Sequence, residues 1–142
     1  MNTATFKEYS LKNKISYEQL MGMVLEAMEA NALQFEDDRM ELSPYGYVRE
    51  FRTIHLDYGR RTGKTTYINS HAGENDFILI PKLTWSFLYP DKNIGTENIL
   101  SNANTPTFNT IYVDEPKLHN KLDACLKKLI KNHEQTIIML GA

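Results

Sequence analysis

The chain has 142 residues and a net charge of −2 at pH 7, with 42% hydrophobic and 24% charged residues. This length suits a single domain with a substantial core, and the composition excludes a disordered chain. The near-neutral charge gives no global reason to expect nucleic-acid binding. All five arginines precede residue 62, which indicates either a local basic face or ordinary solvated charge.

Few features of the sequence bear on cellular location. The single cysteine, Cys125, excludes an internal disulfide and suits a small core residue in a reducing compartment. No apolar run approaches the roughly 20 residues of a membrane span, and the N-terminus lacks the layout of a signal peptide. We therefore expect a cytoplasmic protein without a membrane partner, located in the host cytoplasm if the chain is viral.

The first predicted element is a helix over 17–33. Residues 1–15 are polar and show no clear period. Ser16 and Gln19 then fit a capping box, and apolar residues recur after them at helical spacing. A charged, turn-rich connection, EDDRMELSPYG, follows the helix. We expect residues 1–45 to form a helical segment packed on the core.

Four apolar segments predict strands. The first, YVREFRTIHLD, covers 47–57 and is rich in β-branched and aromatic residues. The others, DFILIP, TIYVDEP and TIIMLGA, are typical of strands buried on both faces. Helices are expected over 64–71 and 117–133, the second with an apolar stripe opposite several lysines. This alternation predicts an α/β fold with a mostly parallel sheet over residues 46–142, within one domain overall.

Two segments between the second and third predicted strands show a less clear hydrophobic pattern. KLTWSFLYPDK is either a short helix or irregular. Its aromatic residues Trp85, Phe87 and Tyr89 suit core or edge packing, with base stacking as the alternative. Residues 93–109 are expected to form a loop. The histidines show no metal-ligand spacing, so we expect no zinc site.

The stretch HLDYGRRTGKTT is the main candidate for a site. A phosphate loop needs a strand, a glycine turn and a helix start, because glycine lets several N–H groups converge on one anion and the helix adds unpaired donors. A lysine then brings charge to the phosphates, and the next hydroxyl binds Mg²⁺. Gly63, Lys64 and Thr65 follow this order. The alternative is a simple polar turn, since Tyr58 occupies the usual first-glycine position and Gly59 comes one residue later.

A second motif ends the apolar strand TIYVD, where Asp114 and Glu115 follow one another. A carboxylate at a strand end can hold Mg²⁺ opposite a threonine hydroxyl, and a second carboxylate can polarise the attacking water. Alone, such a pair is a weak signal, because acidic residues often end strands in solvent. Its combination with Lys64, with a buried strand between them, favours a nucleotide site.

These two motifs resemble the Walker A and Walker B motifs of P-loop NTPases, in the branch with a catalytic glutamate. Within that branch GRRTGKTT is most similar to the loop of phage large-terminase ATPases, which also lack the first glycine and carry an arginine before the phosphates. Arg60 matches that arginine. The resemblance covers 47–142 and implies a three-layer fold with strand order 1-4-3-2. The family's fifth strand, its nuclease domain and a C-terminal arginine finger are not expected in this chain.

The resemblance also implies roles for individual residues, with ATP and Mg²⁺ as ligands. Lys64, Glu115 and Arg60 would be catalytic, and Thr65 and Asp114 would hold Mg²⁺. The phosphate-binding residues would be Gly59, Arg60, Arg61, Thr62, Gly63, Lys64, Thr65 and Thr66. For two of these an alternative stays open, because Thr66 could simply begin the helix and Arg61 could be a solvated or nucleic-acid-facing charge.

Two functions follow from this combination. The first is a minimal or truncated Mg²⁺-dependent ATPase of phage or mobile-element origin, which acts on nucleic acid or on a motor-type protein complex and could assemble as a homo-oligomer. The second is a non-hydrolysing or degenerate P-loop protein that serves as an interaction module. A nucleotide kinase is disfavoured, because all the arginines precede the second motif, whereas such kinases usually carry an arginine-bearing lid after it.

Overall fold

The described part of the chain, residues 17–37, 41–57 and 63–142 of a computed structural model, alternates helices and strands. The helices are α1 (Tyr17–Gln34), α2 (Pro44–Phe51), α3 (Lys64–His71) and α4 (Leu122–Leu129). The strands are β1 (Thr53–Leu56), β2 (Phe77–Leu79), β3 (Ile94–Gly95), β4 (Thr110–Asp114) and β5 (Thr136–Leu140). Short 3-10 helices cover Leu83–Leu88, Glu97–Ser101 and Pro116–Leu118. The predicted α/β class is confirmed.

In this part of the chain, five strands form one all-parallel sheet in the order β1-β5-β4-β2-β3. Asp114, the last residue of β4, is level with Leu140 of β5, which is level in turn with Leu56 of β1. The carboxyl ends of these strands therefore meet at one end of the sheet. Open α/β sheets bind their ligands in the crevice beyond that end.

Helices cover both faces of the sheet. One apolar cluster packs α2 and α4 against Ile137, through side chains such as Leu126. The other packs α1 and α3 against Ile138, through side chains such as Met21 and Ile68. Because successive strand residues point to opposite faces, these clusters form the two interfaces of a three-layer arrangement. No helix within the described ranges is both long and apolar enough to cross a membrane.

The first strand is much shorter than the predicted 47–57, which was wrong in its first half. The hydroxyl of Ser43 accepts a hydrogen bond from the Gly46 N–H (3.1 Å), and Pro44 occupies the first turn of α2. A serine cap followed by proline is a strong helix start, and it outweighs the strand propensity of the aromatic and β-branched residues after it. Only Thr53–Leu56 pair with β5.

A fifth strand, β3, lies in the segment that was expected to be a loop, so the predicted count of four strands was also wrong. Ile94 pairs with Ile78, and Gly95 pairs with Leu79. Glycine is needed there because a Cβ on Gly95 would lie 2.7 Å from the ring of Phe77. A strand of two residues is too short to produce a periodic signal in the sequence.

The predicted helix over 117–133 is split, whereas α1 and α3 agree with their predicted bounds to within one residue. The Gln135 side chain organises the chain after α4. Its Oε1 accepts hydrogen bonds from the N–H groups of Lys131 (2.6 Å) and Asn132 (3.0 Å), and its Nε2 donates to the Leu129 carbonyl (3.0 Å). A side chain that bonds the backbone in this way replaces the bonds of a longer helix.

Candidate functional site

The first component of the site is the turn that begins α3. Gly63 has a φ of 89°, the left-handed conformation that glycine adopts without a steric penalty, and it caps the helix that Lys64 begins. A Cβ placed on Gly63 would meet no atom of the described residues within 4 Å, so those residues leave the space beside the turn open. The first N–H groups of an α-helix have no partner within the helix. The start of α3 therefore presents backbone donors next to open space.

Several predicted phosphate-binding residues lie outside the described part of the chain. These residues are Gly59, Arg60, Arg61 and Thr62. Their roles stay predictions.

The second component is a pair of carboxylates at the carboxyl end of β4, and Lys64 bridges them. Lys64 Nζ lies 2.7 Å from Asp114 Oδ1 and 2.6 Å from Glu115 Oε1. Asp114 is completely buried, while Glu115 and Lys64 are half-buried. The fold thus brings Lys64 to two adjacent carboxylates that lie about 50 residues later in the sequence.

Among the residues that the structure describes, two carboxylates face one ammonium group in this cluster. Burial by itself lowers the pKa of Lys64, but the contacts and charges of Asp114 and Glu115 outweigh it, and the pKa is raised above its usual value. Asp114 Oδ1 is within ion-pair distance of the ammonium group, yet it accepts no well-formed hydrogen bond in the described residues. A buried carboxylate oxygen in this state is suited to a further cation.

The backbone at Glu115 is held in an unusual conformation. Its φ of 50° and ψ of 74° lie in the left-handed region, which is costly for a residue with a side chain. The Glu115 N–H donates to the Leu140 carbonyl (2.9 Å), and Glu115 Oε2 accepts a hydrogen bond from the Ala142 N–H (2.9 Å). A Cβ on Gly141 would lie 2.6 Å from the carboxyl carbon of Glu115, so glycine is required for this approach. Conformations of this kind concentrate at functional sites.

The third component is Tyr89, which belongs to neither sequence motif. Its side chain is only 1% exposed, and its hydroxyl donates a 2.7 Å hydrogen bond to Asp114 Oδ2. Burial raises the pKa of Tyr89, and the nearby charge of Asp114 raises it further. Of the other two aromatic residues after β2, Phe87 is exposed and Trp85 packs beside the core. Nothing in the spacing of the three distinguishes the one that contacts Asp114.

The two threonines of the motif have different surroundings. Thr65 is half-buried, and its hydroxyl interacts with the Tyr89 hydroxyl, which by itself lowers the pKa of that phenol. Thr66 is exposed, and its carbonyl accepts a hydrogen bond from the Ser70 hydroxyl (2.9 Å). Thr65, unlike Thr66, is therefore linked to the carboxylate cluster.

Among the described residues, no group of three or more His, Cys, Asp or Glu side chains could hold a metal ion. Mg²⁺ is commonly bound by one or two carboxylates together with waters and substrate phosphates. The carboxylate of Asp114, which Tyr89 bonds, and the hydroxyl of the half-buried Thr65 suit such a role.

Comparisons of the chain with protein-family models, with curated proteins and with solved structures give no match. The function proposed below therefore depends on the geometry of the site and on the sequence motifs.

Proposed function

We propose that the chain is a P-loop ATPase core that binds ATP with Mg²⁺ at the start of α3. The observation that supports this most directly is the contact of Lys64 with both Asp114 and Glu115, at 2.7 Å and 2.6 Å. This contact puts the lysine that follows the left-handed glycine at the carboxyl end of β4. A phosphate at the helix start would therefore lie between backbone donors and these carboxylates.

The residues of the site fit a magnesium–phosphate ligand. The open space beside Gly63 leaves room for an anion, and the surplus negative charge of Asp114 and Glu115 suits a divalent cation. Asp114 Oδ1, which pairs with Lys64 and accepts no well-formed hydrogen bond among the described residues, is the proposed ligand atom. In this proposal Thr65 and Asp114 hold Mg²⁺, which supplies positive charge to neutralise the phosphate oxygens.

Each remaining residue of the proposed site has a separate task. Lys64 pairs with the β- and γ-phosphates, and to reach them its ammonium group exchanges a carboxylate partner for a phosphate oxygen. Glu115, fixed by the Ala142 N–H and by its unusual backbone, orients the attacking water. Arg60 approaches the γ-phosphate, and the backbone of 59–66 surrounds the phosphates. The last two assignments depend on the resemblance to P-loop NTPases.

Isothermal titration with a non-hydrolysable ATP analogue and MgCl₂ tests the binding step. We expect the wild type to bind and Lys64→Ala to bind about tenfold to a hundredfold more weakly, because hydrogen bonds to charged groups contribute about 1.5–3 kcal/mol. Lys117→Ala is the matched control, since Lys117 is an exposed lysine that follows the carboxylate pair. Circular dichroism verifies that each variant is folded. Absence of binding by the folded wild type would refute the proposal.

One observation favours a second function, a nucleotide-binding protein that does not hydrolyse its ligand. Both carboxylate oxygens of Glu115 already have partners, Lys64 Nζ and the Ala142 N–H. A carboxylate held in this way has less capacity to orient water. Steady phosphate release from ATP, measured with and without DNA, separates the two functions. Release that disappears in Glu115→Gln supports the ATPase, and binding without release supports the interaction module.

The biological setting is proposed from the resemblance to phage large terminases. It comprises a phage or mobile-element origin and action on nucleic acid or on a larger motor-type complex, with assembly of several copies as one arrangement. Stimulation of phosphate release by DNA would support this setting.

A further inference from the structure

Tyr89 carries a buried hydroxyl group to which the proposed ATPase mechanism assigns no role. It follows the 3-10 helix Leu83–Leu88 and belongs to the apolar cluster between the sheet and α1 and α3. Its hydroxyl points out of that cluster to Asp114 Oδ2, at 2.7 Å. A phenylalanine would fill the same apolar space, so packing alone does not account for the hydroxyl.

A hydrogen bond from a side chain of α3 fixes the position of the chain at Tyr89. Asn69 Nδ2 donates to the carbonyl of Leu88, the residue before Tyr89, at 2.8 Å, and also to the carbonyl of Thr65 at 3.2 Å. One amide therefore ties the chain at Tyr89 to the helical turn that carries Thr65. The phenol is placed by the same helix that begins at the phosphate-binding turn.

The two carboxylate oxygens of Asp114 have different partners, because the Tyr89 hydroxyl bonds only one of them. Oδ2 accepts the hydrogen bond of Tyr89, whereas Oδ1 faces Lys64 and accepts no well-formed hydrogen bond. The Thr65 hydroxyl lies near enough to this phenol to oppose the rise that burial causes in its pKa. In metal sites, outer groups that bond a ligating carboxylate fix its orientation, and their loss typically lowers metal affinity by about 10-fold to 100-fold.

We propose that Tyr89 is a positioning residue for the divalent cation: it holds Asp114 Oδ2, so that Oδ1 and the Thr65 hydroxyl are directed at one cation. This inference rests on the proposed function, since it assumes a hard divalent cation bound together with a nucleotide. Tyr89 contacts neither ligand itself. It acts through Asp114 and Thr65.

The test separates cation affinity from nucleotide affinity in the full chain. Mn²⁺ replaces Mg²⁺, and its dissociation constant is measured by electron paramagnetic resonance with a saturating non-hydrolysable ATP analogue. The affinity of the analogue is measured separately in EDTA. For Tyr89→Phe we expect Mn²⁺ affinity to fall by about 10-fold to 100-fold. The metal-free affinity of the analogue should stay within about twofold, because the phosphate-binding groups are unchanged.

Tyr112→Phe is the matched control, because Tyr112 is a buried tyrosine of the same apolar cluster and its hydroxyl makes no hydrogen bond to Asp114 among the described residues. Both affinities should be unchanged in this variant. If Tyr89→Phe does not fold, Asn69→Ala takes its place, because it releases the Leu88 carbonyl while Tyr89 remains. A selective loss of Mn²⁺ affinity in that variant supports the inference, and an unchanged Mn²⁺ affinity overturns it.

The outcomes for this inference and for the ATPase itself can be distinguished. If the wild type binds the analogue and Mn²⁺ while Tyr89→Phe binds both equally well, only the role of Tyr89 is overturned. If the wild type binds neither, the proposed function fails and the inference fails with it. A loss of both affinities in Tyr89→Phe would assign the hydroxyl to general folding of the site and would also overturn the inference.

Discussion

Lys64 is the residue on which the electrostatics of the site depend. Its side chain is 20% exposed and that of Asp114 is 1% exposed, so the pair is largely shielded from water. The loss of one partner from a buried pair leaves an uncompensated charge, which typically costs about 3–5 kcal/mol. Lys64 therefore affects stability as well as ligand binding, and its variants need a measurement of unfolding beside every measurement of function.

The raised pKa of Lys64 predicts a dependence of stability on alkaline pH. A lysine whose pKa is higher in the folded state than in the unfolded state stabilises the fold, and this stabilisation is complete below the unfolded-state pKa, near 10.5. The stabilisation is lost as the pH rises through the folded-state pKa. We expect Lys64→Met to lower the free energy of unfolding by about 3 kcal/mol at pH 7. The difference from the wild type should shrink above the unfolded pKa.

Urea denaturation of both proteins at a series of pH values up to strongly alkaline conditions measures this difference. Other groups that titrate at alkaline pH are common to both proteins, so their contributions cancel in the comparison. Lys82→Met, at an exposed lysine, serves as the control and should match the wild type throughout. A difference that does not change with pH would contradict the raised pKa.

At the scale of secondary-structure elements, α1 contributes to the core from outside the predicted nucleotide-binding region. Met21 is fully buried against β1 and α3, whereas Met23, two residues later, is 69% exposed. Arg52 reinforces the contact, because it donates two hydrogen bonds to the Glu29 carboxylate on α1 (2.8 Å and 3.1 Å). Burial on one side and exposure on the other give this helix a defined orientation.

This orientation predicts different costs for two similar substitutions on α1. We expect Met21→Ala to lower the free energy of unfolding by about 2–5 kcal/mol, because it removes buried side-chain atoms and leaves a cavity. Met23→Ala should change it by less than about 0.5 kcal/mol. Equilibrium unfolding in urea, followed by circular dichroism, measures both. Equal effects of the two substitutions would mean that α1 does not pack on the sheet as described.

For the molecule as a whole, the sheet has short edge strands, and the proposed ligand site lies at its carboxyl end. The edge strands β1 and β3 have four and two residues, and short edges limit pairing with other chains. The proposed ligand contacts α3 and β4 together, so its binding would stabilise the folded state against the unfolded chain.

A thermal-shift experiment measures this stabilisation. With an ATP analogue and Mg²⁺ at about one hundred times the dissociation constant, we expect a gain of about 2.7 kcal/mol. For a domain of this size, that gain raises Tm by about 8 °C. Asp114→Ala, which removes a proposed Mg²⁺ ligand, should lose most of the shift. An equal shift in Asp114→Ala would place the ligand elsewhere.

The sequence by itself determined the α/β class and the positions of the main candidate residues. Apolar runs and helical periods are local patterns, so the sequence alone predicts the strands that contain Ile78, Tyr112 and Ile138. The glycine turn at Gly63 and the acidic end of β4 are also local signals. The structure brings Lys64 to that acidic end, although the roles of these residues remain predictions.

Only the tertiary structure decided which other residues join the site. Tyr89 meets Asp114 across 25 residues, and Gly141 meets Glu115 across an interval of similar length. Contacts between residues so far apart depend on strand order and on the path of each loop back to the sheet. A local sequence pattern contains neither kind of information. The edge strand at Ile94 was missed for the same reason, because its pairing with Ile78 is set by the neighbouring strand.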